Sequence, residues 1–230
     1  MTESQVVRQL VKPLLWAAGL APLAWLVARG FQGELTADPV KYITHFTGRT
    51  TLIIVFVTLC VTPLRRFTGW NGLIKVRRLV GLFSFFYAVI HLLIYLVFDR
   101  GFVLTELGED IAKRPYITVG FTAWLMLLSL AVTSPLAMVR RLGGKRWQAL
   151  HRLIYLIPIL GIVHFTWAQK KDLAPVVPYV VALGIIFAVR LGLRRRLATR
   201  PAGGRRSQPP VLPADPSALP EAPMDHIMNS

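Results

Sequence analysis

Three histidines lie in apolar stretches of this sequence, at positions where a lipid-facing helix normally carries Leu or Ile. His91 lies within "YAVIHLLIYLVFDR", and both His151 and His164 lie within "LHRLIYLIPILGIVHF". Ionisable residues inside a membrane span are costly, so they usually face the interior of a helix bundle and serve a function. Imidazole is also the commonest metal ligand among side chains, which makes a metal centre the first chemistry to consider.

The other side chains of the apolar stretches narrow that chemistry. Proton and ion relays use Asp and Glu along with His, and no apolar stretch contains either acid. Zinc takes three or four N, S or O ligands, and the single Cys60 excludes a thiolate cluster. Two axial imidazoles in an apolar surround suit haem iron. The aromatic residues expected to supply that surround, unless they serve ordinary packing, are Phe85, Phe86, Tyr87 and Phe165.

A structural role for the histidines is the alternative. A His inside a span can hydrogen-bond a neighbouring helix, and His151, close to Arg146 and Arg152, can lie at the membrane interface. The protein would then be a non-redox membrane scaffold or a transporter in which the histidines only brace helices.

Long apolar helices must position these residues. The chain has 230 residues, of which 54% are hydrophobic and 17% charged, and this composition is typical of membrane proteins. A spanning helix needs about 20 mostly apolar residues. Residues 1–198 are therefore predicted to form an all-α integral membrane domain, a six-transmembrane-helix bundle, and residues 199–230 a disordered Pro-rich cytoplasmic tail. The predicted spans cover about 10–29, 43–63, 79–98, 116–138, 148–168 and 174–193.

The charge distribution predicts the orientation. The formal net charge is +16, from 27 basic and 11 acidic residues. If the N-terminus, the loops after the second and fourth spans and the C-terminus share one side, that side holds 19 of the basic and 4 of the acidic residues. Basic residues concentrate beside helix ends on the cytoplasmic side, so both termini are predicted to be cytoplasmic. The basic runs are then topology anchors that meet membrane lipid, which argues against a nucleic-acid partner.

This orientation gives two histidines matching depths. His91 precedes Asp99 by 8 residues, about 12 Å of helix, and His164 precedes Lys170 by 6 residues, about 9 Å. We expect His91 and His164 to be the axial pair of a haem in the outer half of the bilayer.

His151 is expected to belong to a different site. It precedes His164 by 13 residues, which places it about 20 Å nearer the cytoplasm and about 140° away around an ideal helix. Pro158 lies between them and can kink the helix. The sequence therefore predicts that His151 belongs to a separate site on the cytoplasmic side.

Ordered motifs in four consecutive spans resemble a known family. They are "HFTGRTTLIIVFVTLCVTPLRR", "RRLVGLFSFFYAVIHLLIYLVFD", "KRPYITVGF" and "TSPLAMVRRLGGKRWQALHRLIYLIPILGIVHFTW". Over about residues 10–195 the chain resembles the haem-binding membrane subunits of bacterial methionine sulfoxide reductase systems, within the ferric reductase-like transmembrane superfamily.

The resemblance implies a multi-pass b-type cytochrome of the bacterial inner membrane. Such a subunit passes electrons outward to a periplasmic molybdopterin-containing catalytic partner, which repairs oxidised methionines in periplasmic proteins. The resemblance also implies FMN as a possible second cofactor, with the quinone pool or a cytosolic flavin reductase as electron donor. No flavin or nicotinamide domain follows the sixth span, so an external donor is expected.

The number of haems stays open at this stage. Two-haem members of the wider superfamily carry a second pair of His, and no His lies low on the third span, around Arg77, Arg78 and Ser84. A second haem at His151 therefore lacks an obvious partner ligand. Arg77 and Arg78 are candidates for binding a haem propionate or a flavin phosphate, because guanidinium binds oxyanions in a bidentate manner. The alternative for both is topology anchoring.

His45 and Arg49 form a smaller candidate pair. They lie four residues apart at the outer end of the second span and therefore share a helix face. The pair is either a quinone or haem-propionate contact or an interfacial pair that meets lipid headgroups.

Overall fold

The computed structural model describes residues 2–169 and 173–198, a helical part of the chain that contains no β-strand. The predicted tail at 199–230 lies outside the described residues. One compact unit ends at Leu193, and a second unit begins at Arg194. In chain order the helices are α1 (Glu3–Phe31), α2 (Pro39–Thr68), α3 (Gly72–Asp99), α4 (Leu104–Lys113), α5 (Pro115–Val132), α6 (Leu136–Leu142), α7 (Gly144–Gln169) and α8 (Val177–Ala198).

Five of these helices, α1, α2, α3, α5 and α7, are long and apolar enough to cross a membrane. The apolar part of α8, Val177–Leu193, is shorter and lies near the lower end of the roughly 17–25 residues that a spanning helix uses. The prediction of an all-helical, multi-pass membrane protein is therefore confirmed. The sixth span and the cytoplasmic location of the termini stay predictions.

The fourth predicted span, about 116–138, is too long. Helix α5 ends at Val132, and α6 begins separately at Leu136. Pro135 explains the break, because a proline has no backbone N–H and disfavours helical geometry in the residue before it. The end of α5 lies beside the N-terminal part of α7, since Thr133 and Trp147 meet just beyond it.

Helix α2 has defined signals at both ends. Asp38 accepts a hydrogen bond from the backbone N–H of Lys41 at 3.0 Å, and Pro39 occupies the first helical turn. At the other end Gly69 adopts a left-handed conformation with φ of 71°, and its N–H donates to the carbonyl of Arg65 at 2.9 Å. A well-bounded α2 can serve as the central helix of the bundle.

The core is built around α2. This helix packs along α3, while α5 packs along α7, and both pairs contribute to one apolar cluster. Half of the apolar window of α2 is buried, against 6% of the window of α1. Helix α1 is therefore peripheral. The cluster includes Leu52, Val55, Phe56 and Leu59 of α2, Ala88 of α3, Leu127 and Leu130 of α5, and Ile154, Ile157 and Ile162 of α7.

Tyr87 joins α1 to α3. Its side chain is fully buried, and its hydroxyl donates to the carbonyl of Gly19 at 2.7 Å while accepting from the N–H of Leu23 at 3.1 Å. These two backbone groups are partners in an ordinary α-helix, so the hydroxyl is inserted into the hydrogen-bond ladder of α1.

Helix α7 changes geometry between His151 and His164. Residues Arg152–Tyr155 form a 3₁₀ turn, and the α-helix resumes at Ile157. Pro158 is fully buried just after this turn, and its ring would clash with the carbonyl four residues earlier in a regular α-helix. The 3₁₀ turn relieves that clash and separates the N-terminal part of α7, which contains His151, from the part that contains His164.

Candidate functional site

Two imidazole rings meet inside the bundle. His91 on α3 and His164 on α7 have ring centroids 6.1 Å apart and ring planes at 84°. The sequence predicts similar depths for the two residues, and the fold brings their rings together edge to face. His151 lies elsewhere, in the N-terminal part of α7.

Backbone carbonyls fix the orientation of both rings. Nδ1 of His91 lies 3.0 Å from the carbonyl of Thr44, with the Thr47 hydroxyl also near it at 3.3 Å. Nδ1 of His164 lies 2.7 Å from the carbonyl of Tyr116. Because a carbonyl only accepts, Nδ1 carries the proton in each neutral ring, and Nε2 keeps its lone pair. This tautomer is the one that metal-ligating histidines usually adopt.

Two glycines make room for the rings. A Cβ at Gly120 on α5 would lie 2.6 Å from Nδ1 of His164, and a Cβ at Gly48 on α2 would lie 3.0 Å from Cε1 of His91. Each ring therefore lies against a helix backbone rather than against a side chain. The close approach also allows the Nδ1 hydrogen bonds to carbonyls of the same two segments.

The spacing of the rings fits a single metal between them. A metal to imidazole nitrogen distance of about 2.0–2.1 Å on each side puts the two ring centroids about 6 Å apart. The observed 6.1 Å agrees with this value. Among the residues that the structure describes, no group of three or more His, Cys, Asp and Glu side chains could hold a metal ion. The site thus offers two imidazole nitrogens, and a metal held by them would take its other ligands from a group such as a porphyrin.

The histidine pair lines a cavity of about 610 Å³, which is within the size range of cofactor pockets. Its deep wall is apolar and aromatic, with contributions from α2, α3, α5 and α7. Its outer end is polar and carries several cations. The apolar wall includes Leu52, Val55, Ala88, Phe121, Trp124 and Phe165, and the polar end includes Lys41, His45, Arg49, Tyr95, Arg100 and Arg114. This division suits a planar apolar cofactor with an anionic edge.

The expected aromatic surround is partly wrong. Phe165 lines the cavity, but Tyr87 is bonded to α1, and Phe86 is exposed. Phe85 packs on Trp124 at 6.2 Å and belongs to the margin of the core. The reason is the phase of α3, whose cavity face repeats at the three- and four-residue spacing of Ala88, His91, Leu92 and Tyr95.

An ionic network around the buried Asp110 lies at the polar end of the cavity. Asp110 on α4 is 6% exposed and contacts Arg100 at 2.5 Å and Arg114 at 3.1 Å. Tyr95 donates a hydrogen bond to Asp110 and accepts one from Nε of Arg100 at 3.2 Å. The bond to Tyr95 raises the pKa of Arg100 above its ordinary value, so this guanidinium stays charged. Glu106 adds a further contact to Arg100 at 3.5 Å.

His151 is held by a different set of contacts. Its Nε2 lies 3.1 Å from the Thr133 hydroxyl, which donates its one proton to the carbonyl of Ser129 at 2.6 Å and therefore accepts from the His151 ring. Its ring stacks on Trp147 with a centroid distance of 3.9 Å, and the Trp147 indole N–H donates to the Thr133 carbonyl at 2.9 Å. Coordination of a metal through Nε2 would require the Thr133 hydroxyl to move.

The arginines predicted to lie near His151 differ in their exposure. Arg77 is half-buried, and its charge acts on His151. Arg78, Arg146 and Arg152 are exposed. The fold therefore brings Arg77 to the neighbourhood of His151.

Sequence reasoning missed the glycine contacts and the network around Asp110. Gly48 and Gly120 carry no chemical group, so nothing in the sequence marks them as ring platforms. Asp110 and Arg114 did carry a signal, because an i,i+4 acid and base pair at the boundary of two helices indicates a salt bridge. Both residues lie outside the apolar spans, to which the sequence-based prediction of a site was confined.

Comparisons with a family model and with individual proteins agree on one family of membrane proteins. The family described as "Ferric reductase like transmembrane component" matches residues 47–162. A Ralstonia nicotianae protein named "Protein-methionine-sulfoxide reductase heme-binding subunit MsrQ" is 46% identical over 79% of this chain and 84% of its own length. Proteins of the same name from Xanthomonas euvesicatoria and Rhodospirillum rubrum are each 45% identical, over 89% and 81% of this chain and 94% and 90% of their own lengths.

Proposed function

The chain belongs to the MsrQ family of ferric reductase-like membrane proteins, and on that premise we propose that it is a b-type haem electron-transfer subunit. The observation that carries this proposal is the His91 and His164 pair, with ring centroids 6.1 Å apart and both Nδ1 atoms bonded to backbone carbonyls. The relatives are named as haem-binding subunits. Haem b between these two imidazoles accounts for their spacing, their tautomer and the cavity around them.

The residues of the site have distinct tasks in this proposal. His91 and His164 would hold the haem iron through Nε2, while Thr44 and Tyr116 hold the rings by their carbonyls. The apolar wall excludes water, and the cations at the outer end face the carboxylates of the cofactor. When bound, haem supplies one-electron oxidation and reduction. Gly120 lets the backbone of α5 approach the His164 ring.

The direction of electron flow follows from the position of the cavity. Its polar end lies at the α2, α3 and α5 termini that the charge distribution assigns to the periplasm. The subunit therefore delivers electrons outward, in a bacterial inner membrane, to a periplasmic molybdopterin-containing catalytic partner of the MsrP-like type. That partner reduces methionine sulfoxide and so repairs oxidised periplasmic proteins.

Electrons are proposed to arrive at the cytoplasmic side, near His151. Arg77 acts on this residue and is a candidate for binding an anionic cofactor group, with Arg78 beside it in the sequence. The donor is the quinone pool or a cytosolic flavin reductase, and the bound group is FMN or a second haem. The Thr133 contact with Nε2 of His151 favours FMN over a second haem, because it occupies the nitrogen that a metal would use.

A pyridine haemochrome assay on the full chain purified in detergent tests the proposal. We expect b-type haem, with the low-spin spectrum of a bis-imidazole centre. Protein that is folded and free of haem would instead support the alternative, a membrane scaffold or transporter in which the histidines only brace helices.

A further inference from the structure

The buried carboxylate of Asp110 is unusual in this protein because it lies beside the cavity rather than in water. Only 6% of the residue is exposed, and it bridges two arginines that belong to different segments. Arg100 follows the end of α3, and Arg114 precedes the start of α5. Asp110 therefore ties α4 to both neighbouring spans at the mouth of the cavity.

Arg100 and Arg114 both line the cavity that contains His91 and His164. Without Asp110, two guanidinium groups would repel each other at this position. With Asp110 between them, both are held near the cavity in one arrangement, and Tyr95 completes the hydrogen bonding of the carboxylate. Exposed ion pairs stabilise proteins little, but a buried pair cannot lose one partner without a substantial cost.

We propose that Asp110 is a positioning residue that holds Arg100 and Arg114 at the polar end of the cavity and, by its own charge, lowers the reduction potential of a haem bound there. This inference rests on the proposed function, since it needs a haem in the cavity. It adds a role for α4, which no apolar pattern in the sequence indicates.

The sign of the effect follows from the charges. Reduction of ferric to ferrous haem adds one electron, supplied in the experiment by dithionite, so a nearby negative charge opposes it and a nearby positive charge favours it. Arg100, Arg114, Asp110 and Glu106 together are formally neutral. Removal of the Asp110 charge leaves this group with one net positive charge. Asp110 itself is only 6% exposed, so salt screens its charge less than it screens the charge of the exposed Glu109.

The experiment compares Asp110→Asn with Glu109→Gln. Both variants remove one negative charge from α4, but the Glu109 side chain is 65% exposed and pairs with Lys113, outside the network. A mediated dithionite titration of the purified, haem-loaded proteins is expected to show a more positive midpoint potential for Asp110→Asn. Glu109→Gln is expected to match the wild type. The difference is expected to persist at high salt.

A second variant distinguishes the effect of the changed charge from the effect of structural damage to the network. Asp110→Asn combined with Arg114→Gln is formally neutral again, and its potential is expected to return towards that of the wild type. Arg114→Gln alone is expected to lower the potential. It also serves as the test if Asp110→Asn does not accumulate as folded protein.

Two outcomes would overturn the inference. One is a haem-loaded Asp110→Asn variant whose potential equals that of Glu109→Gln. The other is an Arg114→Gln variant whose potential equals that of the wild type. Failure of the proposed function is recognised separately, because the wild-type chain would then contain no haem in the pyridine haemochrome assay.

Discussion

The chemistry of the site depends on which nitrogen of each imidazole is free. Hydrogen bonds from Nδ1 of His91 and His164 to backbone carbonyls settle this question before any metal binds. A backbone carbonyl has no proton to give, so these contacts fix the tautomer as well as the ring orientation. The same helices that supply the carbonyls also supply the glycines under the rings.

The first prediction concerns ligation. Substitution of His91 or His164 by Ala removes one axial nitrogen, so each variant is expected to lose the low-spin absorption spectrum of the outer haem. His45→Ala is the matched control, because His45 lines the same cavity without being one of the facing pair. An unchanged low-spin spectrum in either of the first two variants would exclude this pairing.

The second prediction concerns Gly120. A Cβ there would lie 2.6 Å from Nδ1 of His164, so Gly120→Ala is expected to displace the ring and to reduce haem content, at a cost of about 1–3 kcal/mol for overpacking. Gly184→Ala on α8 is the control, because its Cβ would meet nothing within 4 Å. The control is expected to keep full haem content, since alanine is the better helix former. Equal haem content in both variants would show that Gly120 is not a platform for the ring.

At the residue scale, the sequence could predict the histidine pair but not its supports. The heights of His91 and His164 follow from helix rise and from the positions of the polar helix ends, both of which are local properties. The contacts of Gly48 and Gly120 depend on which helix lies opposite, and Asp110 depends on how α4 folds back. Those are properties of packing, which a single sequence does not encode in any short pattern.

Among the elements, α7 separates two chemical environments along one helix. The 3₁₀ turn at Arg152–Tyr155 and the buried Pro158 lie between His151 and His164. His164 faces His91, whereas His151 packs on Trp147 and Thr133. The sequence indicated both the distance and the proline, but the local 3₁₀ geometry depends on how the neighbouring helices accommodate the ring of Pro158.

The third prediction tests the cytoplasmic end of α7. If electrons enter near His151, then His151→Ala is expected to slow reduction of the outer haem by its donor while leaving the outer haem spectrum intact. Haem and flavin content are measured separately from the rate of reduction. Normal cofactor content together with a normal rate would assign His151 a purely structural role, in keeping with its contacts to Trp147 and Thr133.

The fourth prediction concerns the attachment of α1. Tyr87→Phe removes the hydroxyl that bridges Gly19 and Leu23, and the expected loss of stability is about 1 kcal/mol, the net value of a typical hydrogen bond. Thermal unfolding in detergent measures this loss. The haem spectrum is expected to be unchanged, because the Tyr87 side chain is bonded to α1 and not to the histidine pair. A changed spectrum would place Tyr87 in the haem surround after all.

For the whole molecule, the number of spans determines the side on which each terminus lies. Five helices meet the requirements for crossing a membrane, and α8 is the shorter sixth. If α8 crosses, the termini share a side, and if it does not, they lie on opposite sides. Hydropathy could predict the other five helices because each is long. It also predicts α8 as the sixth span over about 174–193, but the apolar part of the helix is Val177–Leu193, near the minimum length, so this span stays a prediction.

The fifth prediction is that alkaline phosphatase fused after Ala198 is inactive and the same enzyme inserted at Gly108 is active, since this enzyme works only in the periplasm. The basic run Arg194, Arg195 and Arg196 follows the apolar part of α8, and basic residues next to a helix end favour the cytoplasmic side. Gly108 lies on α4, between α3 and α5, so the activity of an enzyme inserted there reports the side on which the α3–α5 connection lies. Activity at both positions would mean that α8 does not cross. Activity only at Ala198 would mean that the whole orientation is inverted, and that the cavity containing His91 opens towards the cytoplasm.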